Sequence, residues 1–318
     1  MKLGVCAQVF YNLDFETALD NVKSLGCKAI ELPVDSLSPF IDLEQALERS
    51  HDEIRNAVDK RGLEISALSN HQEGQLLFGP HGNDTDRIYA GDAMAKIEYA
   101  TVRLKKTAEL AARLGVKTVC GFTGCEDYSR WFPWPDPNGY EKMANAFRER
   151  LLPILDYFGE KGVCFAHECH PKQFAYNVET AIWALELVDN HEAFGFNFDP
   201  ANLLLADVDP VIFISELGER IKHVHAKDGE RVTQNYGRSG LLAHGDWSRP
   251  DRGFRFRVPG WGDLPWKKLI TELHLKDYSG VLSIEHEDPT MSRKEGLQKA
   301  YQYLEPLLLR EKREERWW

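Results

Sequence analysis

The sequence predicts an α/β protein folded as a single (β/α)8 TIM barrel, and three observations carry that prediction. Short runs rich in β-branched residues alternate with amphipathic stretches from one end of the 318 residues to the other, the pattern of repeated strand–helix units around a parallel sheet. Eight such units are legible, and no Pro/Gly/Ser-rich linker divides them, which favours one closed barrel over two open sheets. A doubly wound sheet would carry a G-x-G-x-x-G turn after its first strand, and GVCAQVFYN is not one. The barrel is expected over residues 1–310, with 311–318 a solvated tail that docks Trp317 and Trp318.

The strands are read at about 2–8 (KLGVCAQ), 28–32 (KAIEL), 64–69 (EISALS), 117–122 (KTVCGF), 163–168 (VCFAHE), 195–199 (GFNFD), 221–226 (IKHVHA) and 281–285 (VLSIE). Helices fill the gaps. In the first, Asp14 is placed to cap the N-terminus, Phe15, Ala18, Leu19, Val22 and Leu25 recur with helical period, and Gly26 sits where a residue of positive φ ends the helix. The last opens on Ser292 and Glu295, spaced as a capping box. Three connections exceed simple turns: residues 70–92, 123–138 and 227–262. They follow strands three, four and seven, so a barrel gathers them at its C-terminal face, where barrel enzymes keep their chemistry.

Composition removes several classes of function. With 43% hydrophobic, 28% charged and 11% aromatic residues the chain can build a large packed core. Its net charge of −11 repels phosphate at long range, which excludes nucleic acid and anionic membrane surfaces as partners. The N-terminus lacks the pattern of a signal peptide, and no window approaches the ~18 uninterrupted apolar residues of a membrane span. The six cysteines form no C-x-x-C pair and read as reduced thiols, so a cytoplasmic protein is expected.

Chemistry concentrates at the ends of the last four strands, at Glu168, Asp199, His225 and Glu285, spaced 31, 26 and 60 positions apart. The first two intervals are one strand–helix unit each, and the loop after strand seven lengthens the third. Three carboxylates and one imidazole thus aim at a common point on the barrel axis. Anions so crowded repel strongly in a low-dielectric pocket unless a cation neutralises them, and a divalent metal does this directly. Oxygen donors with a single His suit Mn2+, with Mg2+ or Co2+ as substitutes, better than a thiolate zinc site does. Any one of these acids alone is equally explained as a helix N-cap. Strand parity argues for the set: the residues two positions earlier, Ala166, Asn197, His223 and Ser283, also point inward, and they are small or polar where barrel interiors normally hold Val, Ile and Leu. Such a layer can orient ligands by hydrogen bonding.

The motifs HECHP (167–171), FDPANL (198–203), HVHAKD (223–228) and GVLSIEHEDP (280–289) give the chain a resemblance to the xylose isomerase-like TIM barrels, often called sugar phosphate isomerase/epimerases, over essentially its whole length. The resemblance implies that Glu168, Asp199, His225 and Glu285 bind one divalent metal, commonly manganese, and that the two glutamates serve as acid and base. Many relatives carry His three residues after the Asp, where this chain has Asn202. Activities in the family range over ketose 3-epimerases, aldose–ketose isomerases, inositol-derivative dehydratases, 3-keto-glycoside lyases and endonuclease IV, so the resemblance does not fix the reaction.

The expected function is a metal-dependent isomerase or epimerase acting on a keto sugar or derivative through an enediolate, Glu168 and Glu285 working on opposite faces of the substrate. The alternatives are a lyase that opens a 3-keto-glycoside by the same enolate chemistry, and a sugar-binding barrel without catalysis. Endonuclease activity is not expected: Asn202 replaces a His, and Cys120-Gly121-Phe122 stands where a fourth-strand His is wanted. Substrate contacts are expected from His71, His170, Lys227 and Arg238, with a solvated loop position as the alternative for His170 and Lys227. His167 has the opposite parity to Glu168 and should pack against the helices. The arginines of the strand-seven loop (Arg238, Arg249, Arg252, Arg255, Arg257), with Trp247 and Trp261 among them, form either an ion-paired surface or a lid. Trp131, Phe132 and Trp134 stack on sugar rings or line an interface with a second copy or an accessory subunit. No glycine-rich phosphate cradle follows strand seven or eight, so a non-phosphorylated substrate is expected.

Overall fold

Eight strands run parallel and close on themselves in the order of the chain: β1 (Lys2–Cys6), β2 (Ala29–Pro33), β3 (Glu64–Ser69), β4 (Thr118–Gly121), β5 (Cys164–Glu168), β6 (Phe194–Phe198), β7 (Ile221–Ala226) and β10 (Val281–Ile284), the last pairing β1 in the register Gly4↔Ser283. This computed structural model describes residues 1–312 and 314, the side chains of Ser129 and Trp131 excepted; the expectations for Trp131, Trp317 and Trp318 lie outside the described residues. All eight expected strands are present. Among the described residues no helix is long and apolar enough to cross a membrane.

Alternation along the strands sorts the two faces of the barrel. Leu3, Val5, Ile30, Leu32, Val119, Phe165, Phe196, Val224, Leu282 and Ile284 are buried in one continuous apolar cluster with the surrounding helices. Inside, the only apolar cluster among the described residues is Ala67, Cys120 and Ala166. Apart from the small side chains of Cys6 and Ala29, the other inward residues are largely polar, with Glu31, Asn197, His223, His225 and Ser283 all buried. Apolar burial therefore stabilises the shell between strands and helices, and the lumen is left for chemistry.

The first helix (Phe15–Leu25) ends as expected: the Asp14 side chain accepts from the Thr17 N–H, and Gly26 takes φ 98°. The last (Arg293–Leu304) makes half of a capping box. Ser292 accepts from the Glu295 N–H, while the Glu295 carboxylate turns to Lys299, 3.6 Å away.

The long connections hold together around the mouth. Gly124, at φ 83°, lets the strand-four loop lie on the strand-three loop, since a Cβ there would stand 2.1 Å from the Gln75 carbonyl oxygen. Gln173 reaches both, accepting from the Gly124 N–H at 2.7 Å and donating to Gln75 Oε1 at 2.6 Å. The stretch from 227 to 262 is more than a loop. It forms an antiparallel hairpin of β8 (Asp228–Arg231) and β9 (Phe254–Arg257), with a short helix (Thr233–Ser239) between them. Asp228 closes its base, accepting from the N–H groups of Gly229, Gly260 and Leu264 and from the Trp266 indole; burial pushes its carboxyl up to about 6. The expected ion-paired arginine surface is present: Arg255 and Arg257 share Glu230, and Arg257 also binds Asp288.

His167 faces the helices, as its parity predicts. Its Nε2–H donates to the Ala175 carbonyl at 3.2 Å, its buried Nδ1 has no partner, and burial pushes the imidazole down to about 4. The unfolded chain takes up this proton near 6.5 and the folded chain only near 4, so the contribution of His167 is complete above pH 6.5 and is lost as the pH falls through that window, at ~1.4 kcal/mol per pH unit. Urea titrations should show the wild type losing about 2–3 kcal/mol more between pH 6.5 and 4.5 than His167→Gln, whose amide keeps the bond to Ala175. Identical losses would mean that the buried ring protonates without penalty.

Candidate metal centre and active site

Four adjacent strand ends deliver the expected cluster. Glu168 ends β5, Asp199 follows β6, His225 lies on β7 and Glu285 follows β10. One donor atom from each lies within 4.8 Å of the others, and all four residues are at least largely buried. Asp199 satisfies both readings of its role at once: Oδ1 caps the helix at 200–205 through the N–H groups of Ala201 (2.9 Å) and Asn202 (3.2 Å), while Oδ2 faces the cluster.

The donor set fits a divalent cation. His225 Nδ1 lies 3.0 Å from Glu168 Oε2 and 3.1 Å from Glu285 Oε2, yet it is buried without a hydrogen bond. Its other nitrogen is committed, since His225 Nε2–H donates to Glu31 at 3.0 Å, which turns Nδ1 toward the carboxylates. Three oxygens and one imidazole nitrogen around one point form the ligand chemistry of a hard to borderline ion.

Glu31, on β2, is the functional residue that sequence reasoning missed. Fully buried, it accepts from His223 (3.0 Å), His225 and Ser283 (3.0 Å), and so ties β2, β7 and β10 together beneath the cluster. Its signal was available: it has inward parity in KAIEL. The polar layer read from parity is otherwise as expected. Asn197 donates to Glu168 Oε2 at 2.7 Å, and Asn202 donates to both Glu168 Oε1 (2.7 Å) and Asp199 Oδ2 (2.8 Å).

Electrostatics follows from packing these acids together. Burial works against every charge here, but the partners outweigh it for Glu31 and Glu168, both held well below the usual carboxylate range by His225 with His223 or His71. Glu285 is drawn down to about 2 against its burial by Lys227 and His225. For Asp199 burial wins over Lys227 and, with Glu168 and Glu285 nearby, pushes the carboxyl up to about 7. His225 resists burial and is raised well above the ordinary value by Glu31, Glu285 and Glu168.

Of the expected substrate contacts, three come together. His71 opens a short helix (His71–Gly74) where a loop was expected, and its Nε2 lies 3.1 Å from Glu168 Oε2. His170 donates Nδ1–H to the Pro171 carbonyl, which leaves Nε2 as the acceptor, and burial lowers its basicity. Lys227 corrects the solvated-loop alternative: it is buried and ion-paired with Asp199 (2.8 Å), Glu285 (2.6 Å) and Glu287 (3.2 Å). Arg238 is not brought in; it is exposed on the helix at 233–239 and does not line the cavity. That cavity, about 290 Å³, opens over Glu168 and Glu285 between His71, Phe122 and His170 on one side and Lys227, Trp247 and Phe256 on the other.

A fold and site of this kind define a barrel whose C-terminal mouth is built around a cluster of acids and one histidine. The chain belongs to the xylose isomerase-like TIM barrel family, whose sequence profile matches residues 19–307. It is 29% identical over 327 residues to the uncharacterized protein YfiH of Bacillus subtilis (strain 168), covering 96% of this chain and 98% of that one. A shorter stretch of 151 residues is 27% identical to an inosose dehydratase of Bacillus cereus (strain AH820), 45% of this chain and 49% of the relative. Among solved structures, an IOLI protein with a bound zinc atom superposes with a TM-score of 0.68 at 18% identity, over 97% of this chain and 98% of that one.

Removing the carboxylate that aims His225 should weaken any metal binding at the cluster while leaving all four of its donor residues in place. Glu31→Gln is expected to weaken Mn2+ binding about 10- to 100-fold in isothermal titration, a range typical of partners that orient a ligand. Wild-type affinity in that variant would show that the His225 ring is aimed by something else.

Proposed function

We propose that the protein is a divalent-metal-dependent enzyme that removes a proton beside the carbonyl of a sugar or related polyol ketone, isomerising or epimerising it through an enediolate. The observation that carries this reading is the placement of Glu168 and Glu285 at the ends of non-adjacent strands, Glu168 buried and Glu285 largely so, both lining the cavity and both beside His225. Glu168, Asp199, His225 and Glu285 would hold the ion, Mn2+ by the oxygen-rich donor set, with Mg2+ or Co2+ as substitutes; the zinc of the IOLI protein marks another candidate to load. Bound there, a divalent cation supplies electrophilic polarisation of the substrate carbonyl.

The chain's own residues do the proton work. One glutamate removes the proton and the other returns it from the opposite face. Asn197, Asn202 and His71 hold Glu168 by hydrogen bonds, so its orientation is fixed before substrate arrives. Trp247 and Phe256 line the same cavity and give it an apolar side facing the two glutamates.

A second reading, elimination of a hydroxyl or glycosidic substituent from the same enolate, is favoured by Lys227. Its ammonium, held charged against burial by Asp199, Glu285 and Glu287, lies in the cavity where it can protonate a leaving oxygen. The similarity to inosose dehydratase points the same way, toward loss of water from a cyclic polyol ketone. Incubation in deuterated water separates the two: exchange without a change of mass beyond the deuteron indicates isomerisation, and loss of water or of the substituent indicates elimination.

Variants test the assignment of roles. Asp199→Ala removes a ligand but neither proton carrier, so bound metal and turnover should fall together and excess Mn2+ should restore part of both. Glu168→Gln and Glu285→Gln should retain metal yet lose at least about 100-fold in kcat. A fully active, metal-free Asp199→Ala protein would sink the metal assignment.

A further inference from the structure

Resting on the reading of this cavity as the substrate site, we propose that it selects an uncharged polyhydroxylated ring and turns away rings that bear a phosphate or carboxylate, with Trp247 as the platform and Glu287 as the discriminating residue.

Charge is the first support. The cavity and the layer beneath it hold the carboxylates of Glu31, Glu168, Asp199, Glu285 and Glu287. Against these stand Lys227 and, when loaded, a divalent ion, and even a protonated His71 leaves the balance negative. Lys227 is the cavity's one lysine or arginine among the described lining residues, and three carboxylates occupy it. The arginines that an anion would need are engaged elsewhere. Arg249 pairs with Asp251, Arg252 donates to the Gly245 carbonyl, and Arg255 and Arg257 share Glu230; none of them lines the cavity. An anionic substituent a few ångströms from this field meets repulsion that Lys227, already shared among three carboxylates, offsets only in part.

Shape is the second. The insert after β7 lies across the barrel from β3, since strands three and seven are opposite in a ring of eight. Trp247 leans on Phe256 with ring centroids 5.0 Å apart, and the Arg252 guanidinium sits 4.0 Å from the indole centroid. Thus braced, Trp247 is still 45% exposed and lines the cavity, an apolar surface for the C–H face of a ring. Glu287, its side chain 42% exposed, meets Lys227 through Oε2 and lines the same cavity, where a carboxylate accepts from a substrate hydroxyl but repels another anion.

Equilibrium binding to the Mn2+-loaded protein tests this without requiring turnover, so a failure of the proposed reaction leaves it standing or falling on its own data. The probes are myo-inositol, inositol 1-phosphate and quinate, titrated calorimetrically. Myo-inositol is expected to bind at least about 30-fold more tightly than either anion. Trp247→Ala should weaken myo-inositol about tenfold or more, and Glu287→Gln should shrink the penalty on the anions at least about fivefold. Anions that bind as well as myo-inositol, a wild-type affinity in Trp247→Ala, or no binding of myo-inositol at all would each overturn the proposal.

Discussion

Neutralising carboxylates taken out of water is the constraint on which the rest of this structure depends. Glu31, Glu168, Asp199 and Glu285 are withdrawn into one end of a barrel, and each would cost several kcal/mol if left uncompensated. The compensation is specific. Glu31 is matched by two imidazoles and a hydroxyl, Glu168 by two carboxamides and His71, and Asp199 by a helix N-terminus and an ammonium. What these partners leave unmatched, beside the Nδ1 of His225, is a place for a cation.

The same constraint explains how the apolar residues are distributed. A lumen that must accommodate ionised groups and their donors cannot be filled with Val, Ile and Leu, and its apolar residues are small ones such as Cys6, Ala29, Ala67, Cys120 and Ala166. Cohesion moves outward, to the cluster in which Phe158, Phe165, Phe194 and Phe196 pack edge and face between strands and helices. The barrel is held from outside so that its centre can be polar.

Most of this was legible in the sequence because strand–helix alternation and strand-end position are local patterns. All eight barrel strands, the four clustered residues and the inward layer of Asn197, His223 and Ser283 were found from spacing and parity. What escaped is what depends on distant parts of the chain meeting. Glu31 is 192 and 194 positions from the histidines it binds, so its single inward charge had no visible partner. Lys227 looks like a loop lysine until three carboxylates from two other strand ends surround it. Asn202, noted only as a departure from the family's histidine, bridges Glu168 and Asp199 with one amide nitrogen. The hairpin at 228–257 was hidden by its arginines: FRFR alternates as a strand does, but four charged residues nearby read as solvated surface.

The insert that carries Trp247 is shut at its base by the single carboxylate of Asp228, and Glu168, Asp199, His225 and Glu285 all lie outside it, on strand ends or directly after them. Residues 232–253 therefore contribute no donor atom to that cluster. The proposed platform, Trp247, thus rides on a surface element whose sequence is independent of the barrel strands, whereas the proposed discriminator, Glu287, is tied to the strand end that carries Glu285.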